Sequence, residues 1–129
     1  MNVKVKVSEL TKDDVITFLS LVASELRYYA LSLYYRVEDY NTQHDVLLAI
    51  KRVDVICYED VLAQLLYNEQ LYVEDSNDNI NYLLTYEKLC SGIEQAINKG
   101  YVKLDIDDWD AQDGVTVLQM AIFNEVIYG

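Results

Sequence analysis

The stretch KLDIDDWDAQDG, residues 103 to 114, places five aspartates within nine positions: Asp105, Asp107, Asp108, Asp110 and Asp113. Carboxylates at this density suggest three kinds of chemistry: a cation loop, an acid/base pair, or a negative surface for a basic partner. A helix-flanked calcium loop needs ligands at its first, third and fifth positions, glycine at the sixth and glutamate at the twelfth. Counted from Asp105, the fifth residue is Trp109, the sixth Asp110 and the twelfth Thr116; counted from Asp108 they are Gln112, Asp113 and Gln119. Neither register fits, and no metal is expected. An acid/base pair needs one carboxyl with a raised pKa, usually from burial, whereas acids crowded in a polar stretch are solvated. Asp110 precedes an apolar-periodic run and Asp113 follows three residues later, the placement of a helix N-cap and a first-turn acid. Asp105, Asp107 and Asp108 are left without a local structural role and are candidates for an acidic contact surface.

Other reactive residues are sparse. His44, the only histidine, sits in a polar segment and is expected to be exposed and idle. The glycines Gly92, Gly100, Gly114 and Gly129 are scattered, so no phosphate-cradling loop is expected. Cys57 and Cys90 form no C-x-x-C pair and are expected to be buried, reduced thiols. No cofactor and no enzymatic activity are expected. Tyrosine is abundant, with twelve copies. Tyr28, Tyr29, Tyr34 and Tyr35 form two adjacent pairs about two helical turns apart, which would recur on similar faces of one helix. Both members of each pair cannot face one core, so Tyr28 and Tyr35 are candidate contact residues, as tyrosine often is at interfaces.

At 129 residues and 52% hydrophobic content, the chain is one domain able to bury a core of its own. The apolar-rich stretch around residues 15 to 35 is broken by Glu25, Arg27 and Ser32, which argues against a membrane span. The first residues, MNVKVKVSELTKDD, lack the apolar core and cleavage site of a signal peptide, so a cytoplasmic location is expected. The net charge of −12 is one-sided. In residues 1 to 52, seven acids balance seven bases; residues 53 to 129 hold fifteen acids against Lys88, Lys99 and Lys103. Phosphates would be repelled by that half, which favours a basic protein partner over nucleic acid. Glu74, Asp75 and Asp78 belong to the same candidate contact surface.

The elements that must position these residues follow from periodicity. Val3, Val5 and Val7 alternate with Lys4 and Lys6, predicting a strand over residues 2 to 7. Thr11 caps a helix predicted to run to about residue 36, followed by the polar connection VEDYNTQHD and a short helix over residues 45 to 52. CYEDVLAQLLYN predicts a helix with Val61, Leu62, Leu65 and Leu66 inward. QLYVED and NINYLLT, separated by SNDN, predict a hairpin. Thr85 caps a helix through about Asn98, ended by Gly100; residues 101 to 106 suggest a short strand; the last helix runs from about Ala111 to Ile127. The expected fold is a single α+β domain over residues 1 to 129, a small, mainly antiparallel sheet packed by about four helices.

Four segments carry a likeness: VKVKVSELTKDD, CYEDVLAQLLYNEQLYVED, LLTYEKLCSGIEQAI and the closing DWDAQDGVTVLQMAIFNEVIYG. They resemble small acidic proteins of gut-bacterial mobile elements and phages, in which an Asp-rich turn leads into a terminal Gln-x-Ala-x-Phe-x-Glu-x-Val-Tyr-Gly helix. The matching residues are Gln119, Ala121, Phe123, Glu125, Ile127, Tyr128 and Gly129, with Asn124 where glycine is expected. The likeness covers about two thirds of the chain and weakens over residues 28 to 50. It implies a context and no chemistry: a small inhibitor that occupies the nucleic-acid-binding groove of a basic host protein. The alternative is a self-associating virion or accessory subunit.

Overall fold

The structure is a computed structural model that describes residues 5–52 and 55–129. Thr11 opens helix α1, Lys12–Glu25: its side chain accepts from the Asp14 amide while the Asp14 carboxylate accepts from the Thr11 amide, a capping box. Val15, Phe18, Leu19 and Val22 fall at helical spacing and are fully buried. A 3-10 turn, Leu26–Tyr28, leads to strand β1, Leu31–Tyr34. Helix α2, Val37–Lys51, and helix α3, Tyr58–Tyr67, follow, then strands β2, Tyr72–Asp75, and β3, Ile80–Leu83. Helix α4, Tyr86–Asn98, a second 3-10 turn, Ile106–Asp108, and helix α5, Ala111–Phe123, complete the order.

The described residues form an α+β domain with five helices and a three-stranded antiparallel sheet in the order β1-β2-β3. β1 pairs with β2 from Leu31 opposite Asp75 to Tyr34 opposite Tyr72, and β2 pairs with β3 from Tyr72 opposite Leu83 to Asp75 opposite Ile80. The helices touch in the sequence α4, α5, α1, α3, α2. α5 lies between α4 and α1, which is why Val115, Val117, Leu118, Met120 and Ala121 are all buried. α4 and α5 pass close together at Gly92, where a Cβ would lie 2.7 Å from the Ala121 amide nitrogen. Leu31, Leu71, Val73 and Leu84 join the sheet to the helical core. No helix among the described residues is long and apolar enough to cross a membrane.

Several expectations change. Of the strand expected over residues 2 to 7, residues 2–4 lie outside the described residues; residues 5–7 belong to no strand and bond to side chains of α4. The helix expected to reach residue 36 ends at Glu25, because Leu31 and Leu33 alternate with Ser32 and Tyr34 and pair with β2 instead. Tyr34 and Tyr35 therefore share no helix with Tyr28 and Tyr29. The expected polar connection VEDYNTQHD is the first part of α2, so His44 is helical, its ring 6.3 Å from that of Tyr40. Residues 101 to 106 form bends and the start of the 3-10 turn, not a strand. α5 stops at Phe123, where Asn124 adopts the left-handed conformation, φ 59°, that glycine or asparagine accommodates most readily. Cys90 is buried as expected, but Cys57 is exposed at the N-cap of α3.

Candidate functional site

Residues 5–10 run as an extended strap along one ridge of α4. Tyr86, Cys90, Glu94 and Asn98 recur every four residues and share that face of the helix. The Asn98 amide brackets Val5, accepting from its N–H at 2.8 Å and donating to its carbonyl at 2.9 Å. The Val7 N–H donates to Glu94 Oε1 at 2.7 Å, and the Leu10 N–H donates to Tyr86 Oη at 2.6 Å. Side chains of a helix thus satisfy backbone groups that a neighbouring strand would otherwise serve.

The strap leaves a groove on each side. One, about 530 Å³, lies between residues 6–10, α4 and the turn around residue 106. Its apolar wall is Leu10, Ile93, Ile97, Leu104, Ile106 and Trp109. Trp109, the only tryptophan, is buried, and its indole N–H donates to the Lys103 carbonyl at 2.7 Å. Leu104 is 69% exposed at the rim. The second groove, about 430 Å³, is bordered by Tyr86, Glu87, Cys90 and Glu94. Burial pushes the Cys90 thiol above its ordinary value, which disfavours the thiolate. Among the described residues, five carboxylates border the two grooves, Glu9, Asp14, Glu87, Glu94 and Asp105, against one base, Lys6.

The aspartate-rich segment divides as follows. Asp110 accepts from the Asp113 N–H at 2.8 Å and Asp113 accepts from the Asp110 N–H at 3.0 Å, a capping box at the start of α5. Asp105, expected to be free, also serves the local backbone, since it accepts from the Asp107 N–H at 3.0 Å and caps the 3-10 turn. Its side chain is still exposed and borders the larger groove. Asp107 and Asp108 are exposed on that turn. Among the described residues, no three acidic, histidine or cysteine side chains converge as a metal site would require.

The hairpin residues separate. Asp78 is exposed and Glu74 is half-buried, but Asp75 is 2% exposed and cannot belong to a contact surface. It faces inward with Val73 because strand side chains alternate. Its carboxylate accepts from the Tyr128 hydroxyl at 2.9 and 3.0 Å and from the Asn77 N–H at 3.1 Å. Buried Gln119 completes this clamp on the tail, accepting from the amides of Ile127 at 2.9 Å and Tyr128 at 2.8 Å and donating to the Tyr128 carbonyl at 2.9 Å. Four residues of the terminal motif thereby have a structural role: Gln119 and Tyr128 hold the tail, Ala121 meets Gly92, and Phe123 packs edge-on against Tyr82 at 5.1 Å.

Tyr28 is 67% exposed, with the Arg27 guanidinium 4.9 Å from its ring centre. Tyr35 is half-buried and stacks on Tyr40 at 5.2 Å, and its hydroxyl donates to that of Tyr58 at 3.3 Å. It is thus mainly a packing residue. Burial, then the hydrogen bond to Tyr35, raises the Tyr58 phenol well above its ordinary value. Of the expected contact residues, the two strap grooves include Asp105 alone. Glu9, Glu87, Glu94 and Leu104 were not legible as a group, because only the strap's path over α4 assembles them.

The arrangement can hold ammonium or guanidinium groups beside an apolar side chain. Comparison of the chain with protein-family models, curated proteins and solved structures gives no match.

Proposed function

We propose that this protein is a small acidic interaction module of phage or mobile-element origin that acts in the cytoplasm of a bacterial host. It occupies a basic, nucleic-acid-binding groove of a host protein by imitating the charge of nucleic acid. One observation carries the reading: among the described residues, folding leaves the acids from Glu69 onward without an ion pair. Among the described residues, the ion pairs are Arg36 with Glu38, His44 with Asp45 and Lys51 with Asp60, so no acid from Glu69 to Glu125 lies within 4.0 Å of a basic nitrogen. Lys88 turns instead to the Leu83 carbonyl at 2.8 Å. An uncompensated field of one sign speeds encounter with the opposite sign. The likeness of the terminal motif to mobile-element proteins supports the host setting.

The test is capture from bacterial lysate on the immobilised protein, eluting from about 50 mM to about 500 mM salt. The expected result is a basic protein released by salt, whose binding to duplex DNA is blocked by this chain. Failure to recover any basic partner at low salt would remove the reading. The second reading, a self-associating subunit, is favoured by the outer side of α2, where Val46 and Ile50 lie one turn apart and are 39% and 69% exposed. Size exclusion with light scattering decides it: a strict monomer counts against self-association.

A further inference from the structure

We infer that the larger strap groove is the docking site for a short cationic segment of the partner, one that carries an aliphatic anchor between lysines or arginines. The inference rests on the interaction reading above and locates it. Three features of the groove define its occupant. Its volume, about 530 Å³, lies in the roughly 300–1,000 Å³ range of formed ligand sites and holds several side chains. Its apolar wall includes Leu104, which is 69% exposed yet lines the groove together with Ile97 and Trp109. Singly exposed leucines are ordinary, but one that extends an open groove offers apolar area to a bound side chain. The rim supplies the charge selection: among the described residues, Glu9, Asp14 and Asp105 stand against Lys6.

The occupant's chemistry follows from complementarity. Phosphates and acidic peptides are repelled by the rim. A purely cationic segment satisfies the carboxylates but leaves Leu104 and Ile97 in water. A segment with leucine or isoleucine between basic residues does both: the anchor covers Leu104 and its flanking charges reach Glu9 and Asp105. The strap forms one wall and is held by side-chain hydrogen bonds from α4 at 2.6–2.9 Å, so the groove exists before the ligand arrives and less ordering is needed on binding.

Trp109 makes the test direct, since the only tryptophan of the chain lines this groove. The full chain is titrated with three synthetic peptides that lack aromatic residues. The first is Lys-Leu-Arg-Leu-Lys-Gly, the second replaces leucine by serine, and the third replaces the basic residues by glutamate. Only the first should give a saturable change in Trp109 fluorescence. Leu104→Ser, at an exposed position, should weaken it by about tenfold or more, and the pair Glu9→Gln with Asp105→Asn by a similar factor. Far-ultraviolet circular dichroism checks that each variant is folded. Equal binding of the serine peptide, with Leu104→Ser indifferent, overturns the groove while leaving a general acidic interaction surface standing. No response to any peptide also overturns it. If the first peptide binds as expected but no basic host protein is captured at low salt, the interaction reading fails and the groove survives.

Discussion

Replacing Tyr128 by phenylalanine should destabilise the fold through a residue that lines neither strap groove. The hydroxyl donates to both oxygens of Asp75 at 2.9 and 3.0 Å, and Asp75 is 2% exposed. Without it, the carboxylate retains the Asn77 N–H at 3.1 Å as its remaining partner. A hydrogen bond to a charged group contributes about 1.5–3 kcal/mol, and leaving such a group short of donors costs more than the pair contributes when made. Tyr128 is itself only half-buried, so water recovers part of the loss, and the expected cost is about 1.5–2 kcal/mol. For a chain of this size that is a drop in Tm of roughly 5–8 °C. Urea unfolding followed by Trp109 fluorescence measures it. A double-mutant cycle with Asp75→Ala should show a coupling of about 1 kcal/mol or more. A Tyr128→Phe protein within about 0.5 kcal/mol of wild type, or strictly additive variants, would refute the clamp.

Three further outcomes follow from the same geometry. Asp110→Ala removes the capping-box acceptor of α5 and should cost about 0.5–2 kcal/mol; Asp107→Asn and Asp108→Asn, at exposed positions, should stay within about 0.5 kcal/mol of wild type by the same denaturation assay. Gly92→Ala drives a Cβ to 2.7 Å from the Ala121 backbone, and thermal unfolding should show a loss of about 1–3 kcal/mol. Burial raises the phenols of Tyr40, Tyr58 and Tyr67 above their ordinary value of 10.0. The folded protein then holds those protons more tightly than the unfolded chain, so the associated stability is complete below pH 10 and is lost as pH rises through the folded values. Phenolate absorbance should show a late-titrating fraction above pH 10; uniform titration of all tyrosines near the ordinary value in the folded protein would contradict it.

Much of the architecture was legible because the signals were local. Asp110 with Asp113, Thr85, Gly100 and the two runs around SNDN each specify a cap, a stop or a turn within a few residues. What was not legible depends on distant partners. Residues 31 to 34 carry helix-compatible leucine and tyrosine, and only β2 lying alongside makes them a strand. The first half of α2 escaped notice because a peripheral helix buries little, here Gln43 and Leu47 one turn apart; the second half falls within the short helix expected over residues 45 to 52. Asp75 could have been placed: extending the alternation of Leu71 and Val73 by two residues turns it inward. The acidic grooves could not, since Glu9 and Asp105 around one and Glu87 beside the other are assembled only by the strap that runs along α4.

If unneutralised carboxylates around the strap and the adjoining turn drive association with a basic partner, the rate of encounter must depend on them. The most direct measurement is the association rate of the captured partner, as a function of salt, with wild type and with a variant carrying Glu9→Gln, Glu87→Gln, Asp107→Asn and Asp108→Asn. None of these four side chains holds a hydrogen bond or ion pair among the described residues, so the fold should be retained. The account predicts slower association and a shallower salt dependence for the variant, with a smaller change in dissociation. An unchanged association rate and salt slope, in a variant that folds as wild type does, would contradict it.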